Sequence, residues 1–563
     1  MKTYSVREKI DGDLLDHLLF HRGIKTPEER EKFLNPNYDT HTHDPFLLKD
    51  AEKAAKRIIQ AIENEEKVVI YSDYDTDGIP AGVALHDLFK KIGFKNFTNY
   101  IPHRHDEGFG LNEDAIRQFI EEKVQLLITI DCGIADLGHV ELAQKNGIDV
   151  IVTDHHLPGP KLPSAFAIVN PKQADCNYPE KMLCGAGVIY KLIQAVLAKN
   201  RFGIKEGWEK WLLDMIGIAT LSDMVPLTGE NRVFAYYGLA VLRKSPRKGL
   251  MRLLQKLKVN QKYLTEEDIG FTIGPRINAA SRMGVPMDAF RLLATQDDDE
   301  AEKFAIHLDH INNERKGTVA ALVKEVKKHV NERYGEKPEK VIVIGNPLWK
   351  PSLLGLAANN CAEEYGVPVF LWGRDGDDVI KGSCRAAGSV HLLELMRGTS
   401  EGTFMQYGGH AESGGFSVTS QAIHSLEKNL SEVFERIRTD KNSGKDKNIA
   451  YVDSEISPDD VNYDTYRIVE KLGPYGTGNS KPLFILRNII LSDVQKFGKE
   501  KNHLKLIMKK INGRDINAIG FFMNPEMFEK KPEKGEVITL VASMEKSMFA
   551  GRTELRLRIV DII

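Results

Sequence analysis

A chain of 563 residues is too long to form one hydrophobic core, so we expect about three domains. Its composition, 42% hydrophobic and 28% charged residues, is typical of a soluble globular protein, and a formal net charge of −3 gives no overall sign of a nucleic-acid partner. No apolar run reaches the roughly 18 residues that cross a membrane, and the N-terminal residues lack a signal-peptide core, so we expect a cytoplasmic protein without a membrane partner.

The first half of the chain alternates apolar runs with helical stretches. We predict strands over residues 67–71, 99–102, 125–130, 149–153 and 166–169. We predict helices over residues 81–92, 112–122, 135–146, 185–199 and 206–222. Strands that are apolar throughout and alternate with helices indicate a parallel sheet that is covered on both faces.

The second half begins with a charged, proline-free stretch at 297–334, which predicts a long helix between two domains, with a break near Gly317. A second α/β pattern follows, and then a polar linker at 438–448. About five short alternating runs after residue 483 predict a small β-barrel. The elements of the second α/β pattern are a strand at 340–345, a helix at 353–365 and a strand at 367–372.

Two stretches of this neutral chain are basic. Residues 243–262 carry eight Lys or Arg and no acid, and residues 487–514 carry eight against Asp493 and Glu500. Each stretch is either a phosphate-binding surface or simply a solvated face, and the sequence leaves both interpretations open.

Acidic and histidine residues follow three of the predicted strands. In an open parallel sheet, ligands bind beyond the carboxyl ends of the strands, so these side chains should lie close together. A single Asp at a strand end is usually a turn former or a helix cap, but three of the five predicted strand ends carry ligand-type residues. They are Asp73, Asp75 and Asp77 after the first strand, Asp131 after the third, and Asp154, His155 and His156 after the fourth.

These residues, together with Asp223 at the end of a later apolar helix, predict a metal site. Several carboxylates with an imidazole suit Mn²⁺ or Mg²⁺ better than zinc, and so many carboxylates fit two ions that polarise a phosphoryl group. Neighbouring side chains on an extended segment point in different directions. One histidine of the pair is therefore expected to bind metal, and the other to contact a phosphate or protonate a leaving group, while Asp154 is either a ligand or a partner that orients a histidine.

The motifs DYDTDG, IDCGI, TDHH and ATLSDMVPL resemble those of the DHH phosphoesterase family, and TDHH resembles the motif behind its name. The segments LLFHRGIKTPEEREKFLNP, YIPHRHDEGFGLN, GPRINAASRMG, KGSCRAAG, YGGHAESGGF and LGPYGTGNSKPLF are similar to the branch of single-stranded-DNA-specific exonucleases, in the same order. They cover nearly the whole chain. The resemblance implies an enzyme that uses Mn²⁺ or Mg²⁺ to release 5′-mononucleotides from single-stranded DNA in the 5′-to-3′ direction, in DNA repair and recombination.

The resemblance also implies roles for individual residues. Asp73 and His156 would be catalytic residues: His156 would face the phosphate, and Asp73 would lie at the site outside the set of direct metal ligands. The implied metal ligands are Asp75, Asp77, Asp131, His155 and Asp223. The implied substrate contacts are Arg104, Ser383 and Arg385 at the DNA 5′ end, Arg276 and Arg282 along the DNA path, and His410 on a phosphate.

The family implies a domain order that matches the pattern of the sequence. The expected fold is α/β: a parallel-sheet DHH domain and a DHH-associated α/β domain joined by a long helix, followed by a C-terminal OB-fold barrel. The expected boundaries are an N-terminal lead-in at 1–65, the DHH catalytic domain at 66–290, the connecting helix at 291–336, the DHH-associated domain at 337–437 and the OB-fold at 449–563.

Two departures from the family pattern touch the expected DNA contacts rather than the metal set. Ser281 stands where family members usually have Gly, and Lys350 stands where a His is more common. Single-strand-binding protein is an expected partner at the level of the family, and we expect a monomer. Two alternatives stay open: a DHH enzyme for short oligonucleotides, cyclic dinucleotides or pyrophosphate, and a catalytically silent scaffold.

Overall fold

The computed structural model describes residues 3–335, 338–374, 379–386, 388, 390–441, 449–498, 500–549 and 552–563. The strands are β1 Thr3–Val6, β2 Val68–Ser72, β3 Phe97–Tyr100, β4 Leu126–Ile130, β5 Asp149–Thr153, β6 Ala167–Val169, β7 Ile342–Gly345, β8 Val369–Gly373, β9 Ile380–Arg385, β10 Gln406–Gly409, β11 Ser413–Val418, β12 Ile449–Val452, β13 Ser454–Glu455, β14 Phe484–Phe497, β15 His503–Lys509, β16 Asp515–Gly520, β17 Val537–Phe549 and β18 Arg552–Ile562.

The helices of the described residues range from single turns to a helix of 37 residues. They are α1 Leu14–Phe20, α2 Pro27–Leu34, α3 Tyr38–His41, α4 Ala51–Glu63, α5 Gly78–Ile92, α6 Glu113–Glu121, α7 Leu137–Lys145, α8 Gly185–Lys199, α9 Leu213–Ser222, α10 Gly229–Leu242, α11 Lys248–Lys256, α12 Glu266–Asp268, α13 Gly274–Met283, α14 Met287–Ala294, α15 Asp298–Tyr334, α16 Pro351–Tyr365, α17 Leu392–Arg397, α18 Ile423–Lys441 and α19 Tyr463–Lys471.

The first sheet has the strand order β3-β2-β4-β5-β6, and each of its strand pairs is parallel. Strands β2 and β4 are buried along their whole length, which explains why they are continuous apolar runs in the sequence. The chain runs from β2 to β3 on one side and then to β4 on the other. The carboxyl ends of β2 and β4 therefore flank the topological switch point, where open α/β sheets bind their ligands.

The second sheet has the order β10-β11-β9-β8-β7. Only β7 and β8 are parallel to each other; β8, β9, β11 and β10 pair antiparallel. Helix α15 is continuous through Gly317, so the predicted break is wrong. Buried residues of its C-terminal half, Leu322, Val326 and Val330, pack in one core with β7, β8 and α16, which outweighs the helix cost of about 1 kcal/mol of one glycine.

The C-terminal strands form a sheet in the order β13-β14-β15-β16-β18-β17, and an additional pairing of β14 with β17 closes it into a barrel. The predicted α/β class and the predicted C-terminal barrel are thus confirmed. Of the predicted linker, residues 438–441 belong to α18, and residues 442–448 lie outside the described part of the chain. Within the described residues, no helix is both long and apolar enough to cross a membrane.

The chain divides into two compact units. One unit contains Met1–Asp44, Met224–Ala240 and Asp446–Ile563, and the other contains Pro45–Asp223 and Val241–Lys445. In the first unit, β1 pairs in parallel with β12. The second unit contains both α/β sheets and α15. The predicted lead-in at 1–65 is therefore divided, because its last part, including α4, belongs to the unit with the α/β sheets.

Candidate active site

The acidic residues after the strands are fixed by hydrogen bonds to the neighbouring strand. The amide of Asp73 donates to the carbonyl of Ile130 (3.0 Å), and the amide of Asp131 donates to the carbonyl of Thr153 (2.9 Å). Asp154 continues this pattern with the carbonyl of Val169 (3.1 Å). Each of these residues adds one backbone hydrogen bond beyond the end of its strand, so the sheet fixes the position from which its side chain projects.

The turn between β2 and α5 arranges the three aspartates. The Oδ1 atom of Asp75 accepts hydrogen bonds from the amides of Asp77 (2.7 Å) and Gly78 (3.2 Å). A Cβ atom on Gly78 would lie 2.5 Å from the carbonyl oxygen of Asp73, so only glycine allows the turn to fold back this tightly. The spacing of the aspartates in the sequence thus becomes a cluster within one turn.

The carboxylate of Asp77 lies at the N-terminus of helix α8. It accepts hydrogen bonds from the amides of Gly185 (2.6 Å) and Ala186 (2.8 Å), where the helix dipole favours negative charge. A Cβ atom on Gly185 would lie 2.6 Å from the Cβ atom of Asp131. Asp131 itself has a left-handed backbone with φ of +61°. The glycine at the start of α8 therefore lets two acidic residues approach the same helix end.

His155 lies between the acids of different segments. Its Nε2 atom is 3.2 Å from Asp131 Oδ1 and 3.7 Å from Asp77 Oδ2, and its Nδ1 atom is 3.8 Å from Asp223 Oδ2. Ligand-type atoms come within 4.8 Å of one another in three overlapping groups. The groups are Asp73 with Asp75 and Asp131, Asp77 with His155 and Asp223, and Asp131 with His155 and His156.

Burial of this cluster strongly disfavours its negative charges. Desolvation, followed by repulsion from Asp75, raises the pKa of Asp77 to about 7. Desolvation and neighbouring carboxylates also raise the pKa of Asp223 to about 9 and hold the pKa values of Asp73 and Asp131 well above the usual range. Among the described residues, three buried atoms of the cluster have no hydrogen-bond partner: Asp73 Oδ1, Asp131 Oδ1 and His155 Nδ1. Unpaired acceptors among crowded, desolvated acids are the arrangement that bound divalent cations stabilise.

The two histidines differ in charge. Burial lowers the pKa of His155 to about 3, so its imidazole is neutral and can serve as a ligand. Burial also opposes the charge of His156, but the hydrogen bond from its Nδ1 atom to Asp154 Oδ1 (2.7 Å) outweighs this and raises its pKa to about 9. Asp154 accepts further bonds from the amides of His155, His156 and Ile134. It is fully engaged as an orienting partner.

A group of arginines lies beside Asp73 and Asp75. The guanidinium of Arg104 stands 4.8 Å from the ring centre of Tyr74, and its charge acts on Asp73. Burial and the charges of Arg104, Arg315 and Arg385 lower the pKa of Arg282 to about 9. The structure therefore brings four positive charges together next to the acid cluster.

Arg385 and Ser383 reach this group from β9. Arg385 Nη1 donates to Ser383 Oγ (3.2 Å) and to the carbonyl of Cys384 (2.7 Å). A Cβ atom on Gly355 of α16 would lie 2.9 Å from both Arg385 Nη2 and Ser383 Oγ, so the glycine admits the side chains against the helix. In the described part of the chain, no carboxylate lies within 4.0 Å of the guanidinium nitrogens of Arg104, Arg282 or Arg385.

The structure separates Arg276 from the other predicted substrate contacts. Its guanidinium is buried and donates to Asp309 Oδ1 (2.8 and 3.1 Å) and to the carbonyl of Thr272 (2.7 Å). His410, also a predicted contact, lies directly after β10 and is exposed to solvent, but the surrounding protein partly desolvates its imidazole and, together with the charges of His156 and Lys172, lowers its pKa. His410 of the second sheet is thus brought near the acid cluster, whereas Arg276 has an internal partner.

Two candidate functional residues were not predicted from the sequence. Arg315 on α15 joins the arginine group, and nothing in its helical context signals this. Lys172 lies near Asp223, Asp154 and Asp131. The position of Lys172 directly after strand β6 could have indicated a site residue, but the preceding Asn-Pro pair resembles an ordinary turn.

The structure also places the two departures from the family pattern. Ser281 is buried, and its Oγ atom donates to the carbonyl of Asn278 (3.2 Å), whereas Lys350 is exposed at the N-cap of α16.

Comparisons with known proteins agree with this geometry. The DHH family N-terminal domain model matches residues 67–220, the DHHA1 domain model matches 338–438 and the RecJ OB domain model matches 452–561. The fold and the acid–histidine cluster thus define a phosphoesterase of the DHH class. Among its relatives, the single-stranded-DNA-specific exonuclease RecJ of Bacillus subtilis is 34% identical over 100% of this chain and 69% of that protein, and that of Haemophilus influenzae is 31% identical over 98% and 96%. The chain belongs to the RecJ family.

Solved structures give the same result. RecJ of Thermus thermophilus in complex with Mn²⁺ superposes with a TM-score of 0.79 at 25% identity, covering 98% of this chain and 76% of that one. An exonuclease RecJ bound to manganese superposes with a TM-score of 0.59 at 30% identity, covering 69% of this chain and 95% of that one.

Proposed function

We propose that this protein is a divalent-cation-dependent exonuclease that hydrolyses single-stranded DNA from its 5′ end and releases 5′-mononucleotides. One observation carries the proposal: a buried cluster of carboxylates and histidines lies directly beside a group of arginines that have no carboxylate partner among the described residues. The first feature suits cations that act on a phosphodiester, and the second suits the phosphate at the end of a strand.

The residues of the cluster fit two Mn²⁺ or Mg²⁺ ions. Asp73, Asp75 and Asp131 offer one set of oxygens, and Asp77, His155 and Asp223 offer a second set. Asp131 belongs to the first set and its Oδ1 atom lies 3.2 Å from His155 Nε2 of the second set, so Asp131 would be the residue able to serve both. When bound, such a pair polarises a phosphoryl group and promotes attack by water.

His156 is suited to act on the leaving group. Its Nδ1 atom is committed to Asp154, which leaves Nε2 as the nitrogen that can meet the substrate. Because its pKa is about 9, this nitrogen carries a proton at neutral pH. In the proposed reaction, Nε2 donates a hydrogen bond to the phosphate and its proton to the departing 3′-oxygen.

The arginine group explains the direction of the reaction. Arg104, Arg282 and Arg385 can surround a terminal 5′-phosphate with planar, charged hydrogen-bond donors, and Ser383 adds a hydroxyl. A strand anchored there by its 5′ end presents its first internal phosphodiester to the neighbouring acid cluster. We therefore expect cleavage one nucleotide from the 5′ end, repeated as the strand advances.

The C-terminal barrel supplies a surface of the kind that binds single strands. The side chain of Phe522 is 73% exposed, and its ring centre lies 4.8 Å from that of His503. Lys501 and Lys505 lie in the same hairpin region, whereas Lys496 pairs with Glu526. Lys499, which also belongs to the basic stretch 487–514, lies outside the described residues. Exposed rings for base stacking beside lysines for phosphates suit single-stranded DNA.

From the resemblance to the family we further propose a role in DNA repair and recombination, action as a monomer in the cytoplasm, and single-strand-binding protein as a partner. Sedimentation of the purified protein, alone and with that partner, tests the last two proposals. A dimer at working concentration would contradict the first of them, and unchanged sedimentation in the mixture would contradict the second.

The test of the main proposal is a time course on a long single strand labelled at its 5′ end, with Mn²⁺ present. Labelled mononucleotide that appears at once, without a ladder, supports 5′-to-3′ action; a descending ladder means the opposite polarity. The variant Asp77→Ala should be inactive, while Asp175→Ala, which removes an exposed acid paired with Lys49, should behave as wild type. Activity on cyclic dinucleotides or pyrophosphate, without cleavage of the long strand, would place the protein in another DHH branch.

A further inference from the structure

The end of β6, the edge strand next to β5, carries a cation. Strand β6 lies next to β5, and the amide of Asp154 donates to the carbonyl of Val169, the last residue of β6. The chain then continues through Asn170 to Lys172. These residues therefore stand at the same edge of the sheet as the acid cluster, one strand beyond the DHH motif.

The turn after β6 is built around His156. Asn170 is fully buried; its Nδ2 atom donates to the carbonyl of His156 (2.9 Å), and its Oδ1 atom accepts from the amide of Lys172 (2.8 Å). Gln173, also buried, donates to the carbonyl of Ile168 (2.8 Å). The backbone of Lys172 is thus held in a defined position relative to the proposed catalytic histidine.

The ammonium group of Lys172 has no ion-pair partner in the part of the chain that the structure describes. It is half-buried, and no carboxylate of the described residues lies within 4.0 Å of its Nζ atom. Burial lowers its pKa, and the more distant charges of Asp223, Asp154 and Asp131 oppose this. Divalent cations held by the acid cluster would weaken that attraction. The half-buried ammonium would then be available to another anion, which would stabilise its charge.

The order of the strands places the two cationic sites at opposite ends of a row. Arg104 follows the edge strand β3, the acids follow β2, β4 and β5, and Lys172 follows the other edge strand β6. With strands about 4.8 Å apart, the row spans roughly 19 Å. If the 5′-phosphate lies among the arginines and the scissile phosphate at the acids, the remaining strand leaves toward Lys172.

We propose that Lys172 binds the phosphate that follows the scissile bond on its 3′ side. The assignment rests on the proposed exonuclease function, because it uses the direction of the strand. It gives the enzyme a contact with the part of the substrate that becomes the next 5′ end, so Lys172 holds the strand through a cleavage cycle.

Short substrates test the assignment. A 5′-phosphorylated dinucleotide has a terminal and a scissile phosphate but none beyond; a trinucleotide has one more. A charge-assisted hydrogen bond of this kind corresponds to roughly 10- to 100-fold in kcat/KM. We expect Lys172→Gln and Lys172→Ala to lose that factor on the trinucleotide and nothing on the dinucleotide, with Lys172→Arg retaining most activity. Lys161→Gln, which removes an exposed lysine from the preceding loop, is the matched control.

A trinucleotide with a neutral methylphosphonate at its second linkage provides the reciprocal test. Wild type should cut it as slowly as Lys172→Gln cuts the normal trinucleotide, and the substitution should then have no added effect. An equal loss on dinucleotide and trinucleotide would overturn the assignment and place Lys172 on the scissile phosphate. An unchanged kcat/KM on both substrates would also overturn the assignment and show that Lys172 only balances the charge of the acid cluster. A wild-type protein that cuts neither substrate nor a long strand would instead refute the exonuclease function, and the Lys172 assignment with it.

Discussion

Substitution of Gly185 by alanine is a direct test of how the acid cluster is held. The added Cβ atom would lie 2.6 Å from the Cβ atom of Asp131 and 2.7 Å from its Oδ1 atom. The helix end cannot retreat easily, because the amides of Gly185 and Ala186 are bonded to Asp77. The displacement must therefore fall on the side chain of Asp131, the proposed shared ligand.

The size of the effect follows from the overlap. Carbon atoms in protein interiors pack at about 3.5–4.0 Å, so the two side chains must move apart by about 1 Å. A misplacement of about 1 Å at a catalytic group costs on the order of 100-fold in rate, equivalent to about 2.7 kcal/mol of transition-state stabilisation. The overpacking itself should lower the free energy of unfolding by about 1–3 kcal/mol.

The assay is kcat/KM on a 5′-phosphorylated single strand across a Mn²⁺ titration, with calorimetry of Mn²⁺ binding. Gly138→Ala is the matched control, since Gly138 lies near the start of α7 and an added Cβ atom meets nothing within 4 Å. We expect weaker Mn²⁺ binding and a slower reaction only in Gly185→Ala. If both variants show the same affinity and rate, the position of Asp131 does not control the site.

Four other predictions concern metal binding, two arginines and a buried histidine. Mn²⁺ at about 100 times its dissociation constant should stabilise the folded protein by about 2.7 kcal/mol, and calorimetric melting should show no such gain in Asp131→Asn. Arg276→Ala should lower the unfolding free energy, measured in urea, by about 3 kcal/mol, because the substitution leaves Asp309 unpaired. Arg385→Ala should instead mainly abolish the preference for a 5′-phosphate over a 5′-hydroxyl end. Burial lowers the pKa of His86 to about 4. The contribution of the neutral imidazole to stability is therefore complete above pH 6.5 and is lost as the pH falls toward 4. In urea titrations between pH 7.5 and 5, the unfolding free energy of wild type should fall by about 2 kcal/mol more than that of His86→Gln. Equal pH slopes, equal end preferences or equal melting gains would contradict the respective predictions.

The strands of the first sheet could be predicted because they are buried on both faces. The central residues of Val68–Ser72 and Asp149–Thr153 appear in the sequence as short apolar runs, which can be recognised without knowledge of their partner strands. The position of the acids then follows from the rule for strand ends. The structure brings all the predicted metal ligands into one cluster, and whether each one binds metal stays a prediction.

The remaining features depend on contacts between distant parts of the chain. Strand β1 has only four residues, and its partner β12 begins at Ile449, so no local pattern reveals the pair. Arg276 and Arg282 lie in one motif, but the first pairs with Asp309 on another helix while the second joins the arginine group. Sequence patterns give the residue types of a site, whereas the assignment of each arginine requires the packed structure.

The arginine group itself depends on how the two α/β sheets are joined within their unit. Arg282 Nη1 donates to the carbonyl of Ser352 (2.6 Å), and Ser352 Oγ donates back to the carbonyl of Arg282 (3.2 Å). This reciprocal pair links α13 to the first turn of α16, beside Arg385. Backbone carbonyls thus hold guanidinium groups together although burial and their mutual repulsion both lower the pKa of Arg282. An anion bound among them relieves that repulsion, so a 5′-phosphate should both occupy the group and strengthen the contact between the two sheets.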